Sequence, residues 1–381
     1  MVNNISTSKK IGILTYHTGF NYGASLQAYA LQKVIKRMGY PCETIHFETE
    51  RFVASREMFS RKPRRLKEFI KIVTRLPYYL PLKKREKLFE SFTENCLDIS
   101  PLYRTEQEVI DHAGDYECII CGSDQIWNLS NNDAPAANLL FFLNFPKKQR
   151  RISYAASFGK WMKEAHKREN EFLPWLKEFD YISVREDSGV EYLKSQGIDC
   201  FLTLDPTVLL DKEDYDIICA ERQIKRAYVL LFSWLCGDEV VKAAKKVAAE
   251  LQLPLFSLTP PPRTMCSGIK RKLDVGPMEF LSMIKYADFI VTDSFHGTAF
   301  STTFEKPYVS IVSDGHADTR MKSLLHQLGL EDHLVDSKKI DIVAMKSTDF
   351  LKVNEKKIDL RKASFQFLEN SLCELEKVRN D

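Results

Sequence analysis

Long apolar runs are missing from this chain of 381 residues. No stretch of about 18 apolar residues occurs, which argues against a helix crossing a bilayer. A dominant charge sign is missing as well. The net charge of +3 argues against a dedicated nucleic-acid binder, though a local basic patch stays possible. Glycine-rich phosphate loops are also wanting. No GxGxxG follows the first strand and no GxxxxGK[ST] occurs, so dinucleotide and P-loop nucleotide binding lose their usual support. The nine cysteines form no disulfide scaffold: the count is odd, and Cys118, Cys200 and Cys219 sit in apolar runs. Cys118 and Cys121 make a CxxC, but they read as part of a strand, where residues three apart face opposite sides. With no second CxxC, no metal site is expected. No cofactor is expected either.

The polar start, Met1 to Lys10, has no long apolar region behind it, so no secretory signal is expected and the cytoplasm is the expected compartment. A length of 381 residues suggests two domains. Strands are expected at Lys10–Tyr16, Cys42–Phe47, Tyr116–Cys121, Ile152–Ala156, Tyr181–Val184 and Phe201–Leu204. The helix around Leu26 to Met38 stops at Gly39, a natural C-terminal cap. A charged, poorly patterned stretch from Asp211 to Arg226 reads as the interdomain crossing. The rhythm then restarts with strands at Ala227–Phe232, Leu253–Leu258, Phe289–Thr292 and Tyr308–Ile311. Helices are expected at Asp238–Leu251 and Gly276–Tyr286. The fold class is α/β, with two doubly wound, Rossmann-like domains facing across a cleft. Their limits are expected at 1–211 and 225–345, with a helical tail over 346–381. A basic helical insertion interrupts the first domain over 51–92. Between Arg51 and Glu90 it carries thirteen Lys or Arg against four Glu. Its plain reading is a solvated helical face; the sharper one is contact with an anionic membrane surface.

The densest chemical signal is Asp288-Phe289-Ile290-Val291-Thr292-Asp293-Ser294-Phe295-His296-Gly297-Thr298. A buried strand ends in a polar cluster and restarts as a helix. Ligands in open α/β sheets bind where strand ends meet helix starts, and a helix N-terminus suits phosphate or carboxylate. His296 there is the first candidate for moving protons. Gly297 would admit close backbone approach. Asp293 is placed to fix the imidazole or start the helix.

Five segments then coincide in order: Asn21-Tyr22-Gly23-Ala24-Ser25-Leu26-Gln27, Cys121-Gly122-Ser123-Asp124-Gln125-Ile126-Trp127-Asn128, Ser183-Val184-Arg185-Glu186, Asp205-Pro206-Thr207-Val208-Leu209-Leu210 and Thr292-Asp293-Ser294-Phe295-His296-Gly297. From about Ile11 to Leu330 the chain resembles the polysaccharide pyruvyl transferase family. The resemblance implies a fold like the B-type glycosyltransferases. It also implies transfer of pyruvate from phosphoenolpyruvate onto two sugar hydroxyls as a cyclic ketal, often on a lipid-linked precursor. One position departs: other members often carry Arg two residues before the motif histidine, and here stands Ser294, which cannot clamp phosphate bidentately.

For that chemistry the candidates are His296 and Asp124 for proton transfer. Arg185, Asp293, Ser294, Gly297 and Arg320 are assigned to the donor. His17, Asn21, Tyr22, Ser123, Gln125 and Trp127 are assigned to the acceptor, with Trp127 stacking on a sugar ring or filling the core. Two other functions stay open: a nucleotide-sugar glycosyltransferase of the same architecture, and a saccharide-binding protein without catalysis.

Overall fold

The computed structural model describes residues 10–50, 52–53, 66–129, 139–146, 149–159, 167–234, 236–261, 268–312 and 319–380. Two all-parallel, six-stranded sheets organise it. The first contains β1 (Lys10–Leu14), β2 (Cys42–Thr44), β3 (Tyr116–Cys121), β4 (Arg150–Ala156), β5 (Tyr181–Val184) and β6 (Phe201–Leu202), in the order β2-β1-β3-β4-β5-β6. The second contains β7 (Val229–Phe232), β8 (Leu255–Ser257), β9 (Ile269–Arg271), β10 (Phe289–Thr292), β11 (Tyr308–Ile311) and β12 (Leu334–Val335), in the order β12-β11-β10-β7-β8-β9. Helices cover both faces, so the central strands are apolar throughout, as in Phe289-Ile290-Val291-Thr292, all buried. These are two Rossmann-like units.

Strand order decides where a site can form. In the first sheet the connections reverse direction between β1 and β3; in the second, between β7 and β10. Loops leaving the carboxyl ends of such strand pairs diverge and open a crevice. Every segment singled out in the sequence leaves one of these sheets at that end.

The short edge strands β9 and β12 escape a sequence reading because two or three residues carry too little alternation to register. The expected strand at Cys42–Phe47 keeps its ladder only over Cys42–Thr44, with an isolated bridge from Phe47 to Tyr103. Cys118 and Cys121 do lie in β3 and belong to different core clusters, one on each face of the sheet. Burial pushes both thiols up.

Two elements tie the units together. The helix Tyr79–Cys96, from the basic insertion, sends Arg85 between them: Nη1 donates to Leu258 O (2.8 Å) and Nη2 to Phe20 O (3.4 Å). The insertion is therefore not wholly a solvated face; the part of it over Arg51 and 54–65 lies outside the described residues. The long helix Phe350–Asn380 returns from the second unit to the first. Its Arg361 donates to Val208 O (2.6 Å) and Leu210 O (2.5 Å) and pairs with Asp211. Phe367 packs among Tyr154, Tyr181 and Phe201. Among the described residues, no helix is long and apolar enough to cross a membrane.

Candidate active site

β10 ends at Thr292, and the helix Phe295–Thr303 begins almost at once. Ser294 is its N-cap, with Oγ accepting from Gly297 N at 3.4 Å. The cap belongs to Ser294 and not to Asp293, whose Oδ2 instead accepts from Ser233 Oγ at 2.9 Å, across the reversal from β7 to β10. The tight turn leaves His296 one residue into the helix, pointed at the first unit.

There the imidazole meets a buried ionic cluster. Nε2 of His296 lies 4.0 Å from Asp205 Oδ2. Asp205 receives Arg185 Nη1 at 2.5 Å, and Arg185 Nη2 reaches Asp124 Oδ1 at 3.0 Å. Three strand ends of the first sheet supply these groups: β3 supplies Asp124, β5 Arg185, and the segment after β6 Asp205. Asp124 sits in the left-handed region (φ 71°), a conformation a short polar side chain tolerates. Its backbone is pinned by Ser157 N, which donates to its carbonyl at 3.0 Å. Asp205 also accepts from Thr207 N and Thr207 Oγ1, at 3.0 and 2.6 Å.

A buried charge persists when it is paired and hydrogen-bonded. Burial alone would raise Asp205; Arg185, His296 and the Thr207 donors outweigh it and hold the carboxyl down at about 2. Burial likewise raises Asp124, and Arg185, His296 and Arg320 together hold it below its ordinary value. His296 moves the opposite way for a base: burial lowers it first, Asp205 and Asp124 oppose, and Arg185 and Arg320 add to the lowering. Burial thus favours the neutral imidazole. It is 7% exposed, and its buried Nε2 has no hydrogen-bond partner. In the tautomer that carries the proton on Nδ1, Nε2 is an available proton acceptor.

Phe295 assembles the cations. Arg185 Cζ stands 4.4 Å and Arg320 Cζ 6.0 Å from its ring centroid. Both guanidinium groups therefore converge beside His296. Glu186, next to Arg185, is buried; burial pushes its carboxyl up, and Oε1 accepts from Phe158 N at 2.9 Å.

The structure brings His296, Asp124, Arg185 and Arg320 together and moves several acceptor candidates away. Trp127 is fully buried, donates Nε1–H to Phe141 O (3.0 Å) and stacks on Phe142: it fills the core and meets no sugar. Tyr22 stacks on Phe280 at 4.7 Å and donates to Val275 O at 3.1 Å, which makes it a contact between units. His17, expected at an open mouth, is buried with Nδ1 3.1 Å from Thr15 O, because the chain after β1 turns inward. Ser123 is buried too, its Oγ within 2.8 Å of both Asp205 Oδ2 and Ala155 O. It supports the cluster from behind. Asn21 caps the helix Tyr22–Arg37, accepting from Gly23 N and Ala24 N at 3.1 and 3.3 Å. Gln125 is half-buried and accepts from Asn128 Nδ2 at 3.0 Å. Gly297 serves packing: a Cβ there would stand 2.2 Å from Thr292 Oγ1.

Two members of the cluster were not candidates from sequence. Asp205 and Gly23 stood in quoted segments without a role assigned to either. A Cβ on Gly23 would stand 2.0 Å from Nδ1 of His296. The imidazole of one unit rests directly on the backbone of the other.

Two Rossmann-like units meet at a buried cluster of imidazole, carboxylates and guanidinium groups. The profile of one family, polysaccharide pyruvyl transferase, matches residues 21–315, and the chain belongs to that family. No curated protein matches the sequence. Solved structures show the same fold at low identity. A UDP-GlcNAc 2-epimerase of Methanocaldococcus jannaschii, in complex with UDP-GlcNAc and UDP, superposes with TM-score 0.53 at 14% identity, covering 90% of this chain and 93% of that one. A putative UDP-N-acetylglucosamine 2-epimerase of Listeria monocytogenes gives 0.52 at 10% identity over 93% and 90%. The S. aureus MnaA–UDP structure gives 0.51 at 14% identity over 97% of both chains.

Proposed function

We propose that this transferase moves pyruvate from phosphoenolpyruvate onto two hydroxyls of a sugar in a cell-surface polysaccharide precursor carried on lipid. The observation that supports it best is the buried, unpartnered Nε2 of His296 beside Arg185 and Arg320. The donor is a small anion with a phosphate and a carboxylate, and two guanidinium groups suit it. The reaction balances as follows. The methylene carbon gains a proton and becomes methyl. One sugar hydroxyl adds to the cationic carbon and loses its proton. The C–O bond to phosphate breaks, and the second hydroxyl closes the ketal, losing its proton. Two hydroxyl protons leave; one ends on the methyl group and one on phosphate. His296 takes a hydroxyl proton, and Asp205 and Asp124 stabilise the imidazolium that forms. On this reading, residues 1–211 hold the acceptor and 225–345 the donor. Arg185 stays in the first unit, held by Asp205 and Asp124, and offers the donor its positive charge from there.

The test is phosphate release from phosphoenolpyruvate with sugar acceptors. Release is expected only with both substrates, and His296→Ala should lower kcat about 100- to 10,000-fold. Unchanged turnover in His296→Ala overturns the assignment. A melting shift with a nucleotide sugar, and none with phosphoenolpyruvate, would establish the glycosyltransferase reading instead.

A further inference from the structure

The helix Leu66–Arg75 carries its apolar residues on the outside. Leu66, Phe69, Ile70 and Val73 follow the i, i+3, i+4, i+7 spacing of one helical face, and Leu76 and Leu80 extend it. All six are between 43% and 77% exposed. Such a stripe is normally the buried side of a helix, and a contiguous exposed one marks an interaction surface. Along the sequence the charge of this segment is mostly positive. Between residues 61 and 75 the sequence holds seven Lys or Arg against one acidic residue, Glu68. An exposed apolar stripe in a sequence segment this rich in cations fits a membrane interface. The stripe enters the boundary of headgroups and acyl chains while the cations meet anionic lipid. A protein partner of the same complementarity would need an acidic groove; a bilayer offers both features without one.

Position gives the surface a use. Arg75 Nε donates to Pro261 O at 2.9 Å. That segment continues from Thr259, whose Oγ1 donates to Ser233 O at 2.5 Å, and Ser233 holds Asp293. The exposed helix is therefore tied to the carboxyl end of the second sheet, the end from which His296 also projects.

We infer that the exposed apolar face of Leu66–Arg75, with its basic flank, seats the protein on an anionic bilayer beside the active site. The surface lies outside the catalytic cluster, so it is tested without turnover.

Flotation of the full chain with vesicles of phosphatidylcholine alone, or with about one-quarter phosphatidylglycerol, reads this directly. The chain should float with the anionic vesicles, and at about 0.5 M salt the bound fraction should fall severalfold. Phe69→Glu with Val73→Glu should reduce binding about tenfold or more with an unchanged melting temperature, since both side chains are exposed. Absence of binding, equal binding to neutral vesicles, or unaltered binding by the double variant each overturns the inference. So does a parent that self-associates without vesicles and a double variant that is monomeric, since the occupant is then a second copy.

Discussion

Asp205 holds more of the site than any other side chain. It receives Arg185, Thr207 and Ser123 and faces His296. Its folded value of about 2 lies below the ordinary 3.8, so its stabilisation is present above about pH 4 and lost as pH falls toward 2. Asp124 titrates in the same direction. His296 is lowered as well, so its contribution is full above its ordinary 6.5 and declines as pH falls below that. Stability should therefore drop in steps on acidification. Asp205→Asn should flatten the limb between about pH 4 and 2, a difference on the order of 2 kcal/mol, read by urea unfolding at each pH. Gly23 is the other decisive residue, for want of a side chain. Gly23→Ala would displace the imidazole. A shift of about 1 Å in a reacting group costs about 100-fold in rate. The expected outcome is a loss of that size in kcat, with far-ultraviolet circular dichroism unchanged.

At the scale of elements, the strand-to-helix turn after β10 does two jobs at once. Ser294 ends the strand and caps the helix Phe295–Thr303, which fixes where His296 points. The Ser294 side chain is thus spent on a backbone hydrogen bond from Gly297 N. The positive charge comes instead from Arg185 and Arg320 through the Phe295 ring. The helix Tyr22–Arg37 opposes it with a glycine in its first turn, and that gap is what the ring occupies. Strands such as β3, β5, β10 and β11 were legible to the residue, because a parallel strand buried on both faces is an uninterrupted apolar run between polar ends. The edge strands β9 and β12 were not, because their runs are short, and the edge strands β2 and β6 were legible only with ends set too long.

For the whole molecule, the relation between the two units matters most. Tyr22 stacks on Phe280 and bonds to Val275 O, and Arg85 bonds to Phe20 O and Leu258 O with its Cζ 4.9 Å from the Tyr22 ring. Burial lowers Arg85 and raises Tyr22, whose hydroxyl is pushed up to about 12. A buried guanidinium linking carbonyls of both units is costly to remove. Arg85→Met should cost about 1–3 kcal/mol, seen as a lower melting temperature. It should also raise KM more than Gly23→Ala does, because it loosens the junction and leaves His296 in place.

The chain's own pattern determined the alternation of strand and helix, two Rossmann-like units and the position of His296 at a strand end. These follow from local periodicity and turn chemistry, which neighbouring residues carry by themselves. Only the tertiary structure decided that Asp205 and Gly23 belong to the site, that Trp127 and Tyr22 do not, and that the insertion both joins the units and exposes an apolar face. Burial, ion pairing and close approach are relations between segments up to 273 residues apart, from Gly23 to His296. No local pattern records which segments will meet.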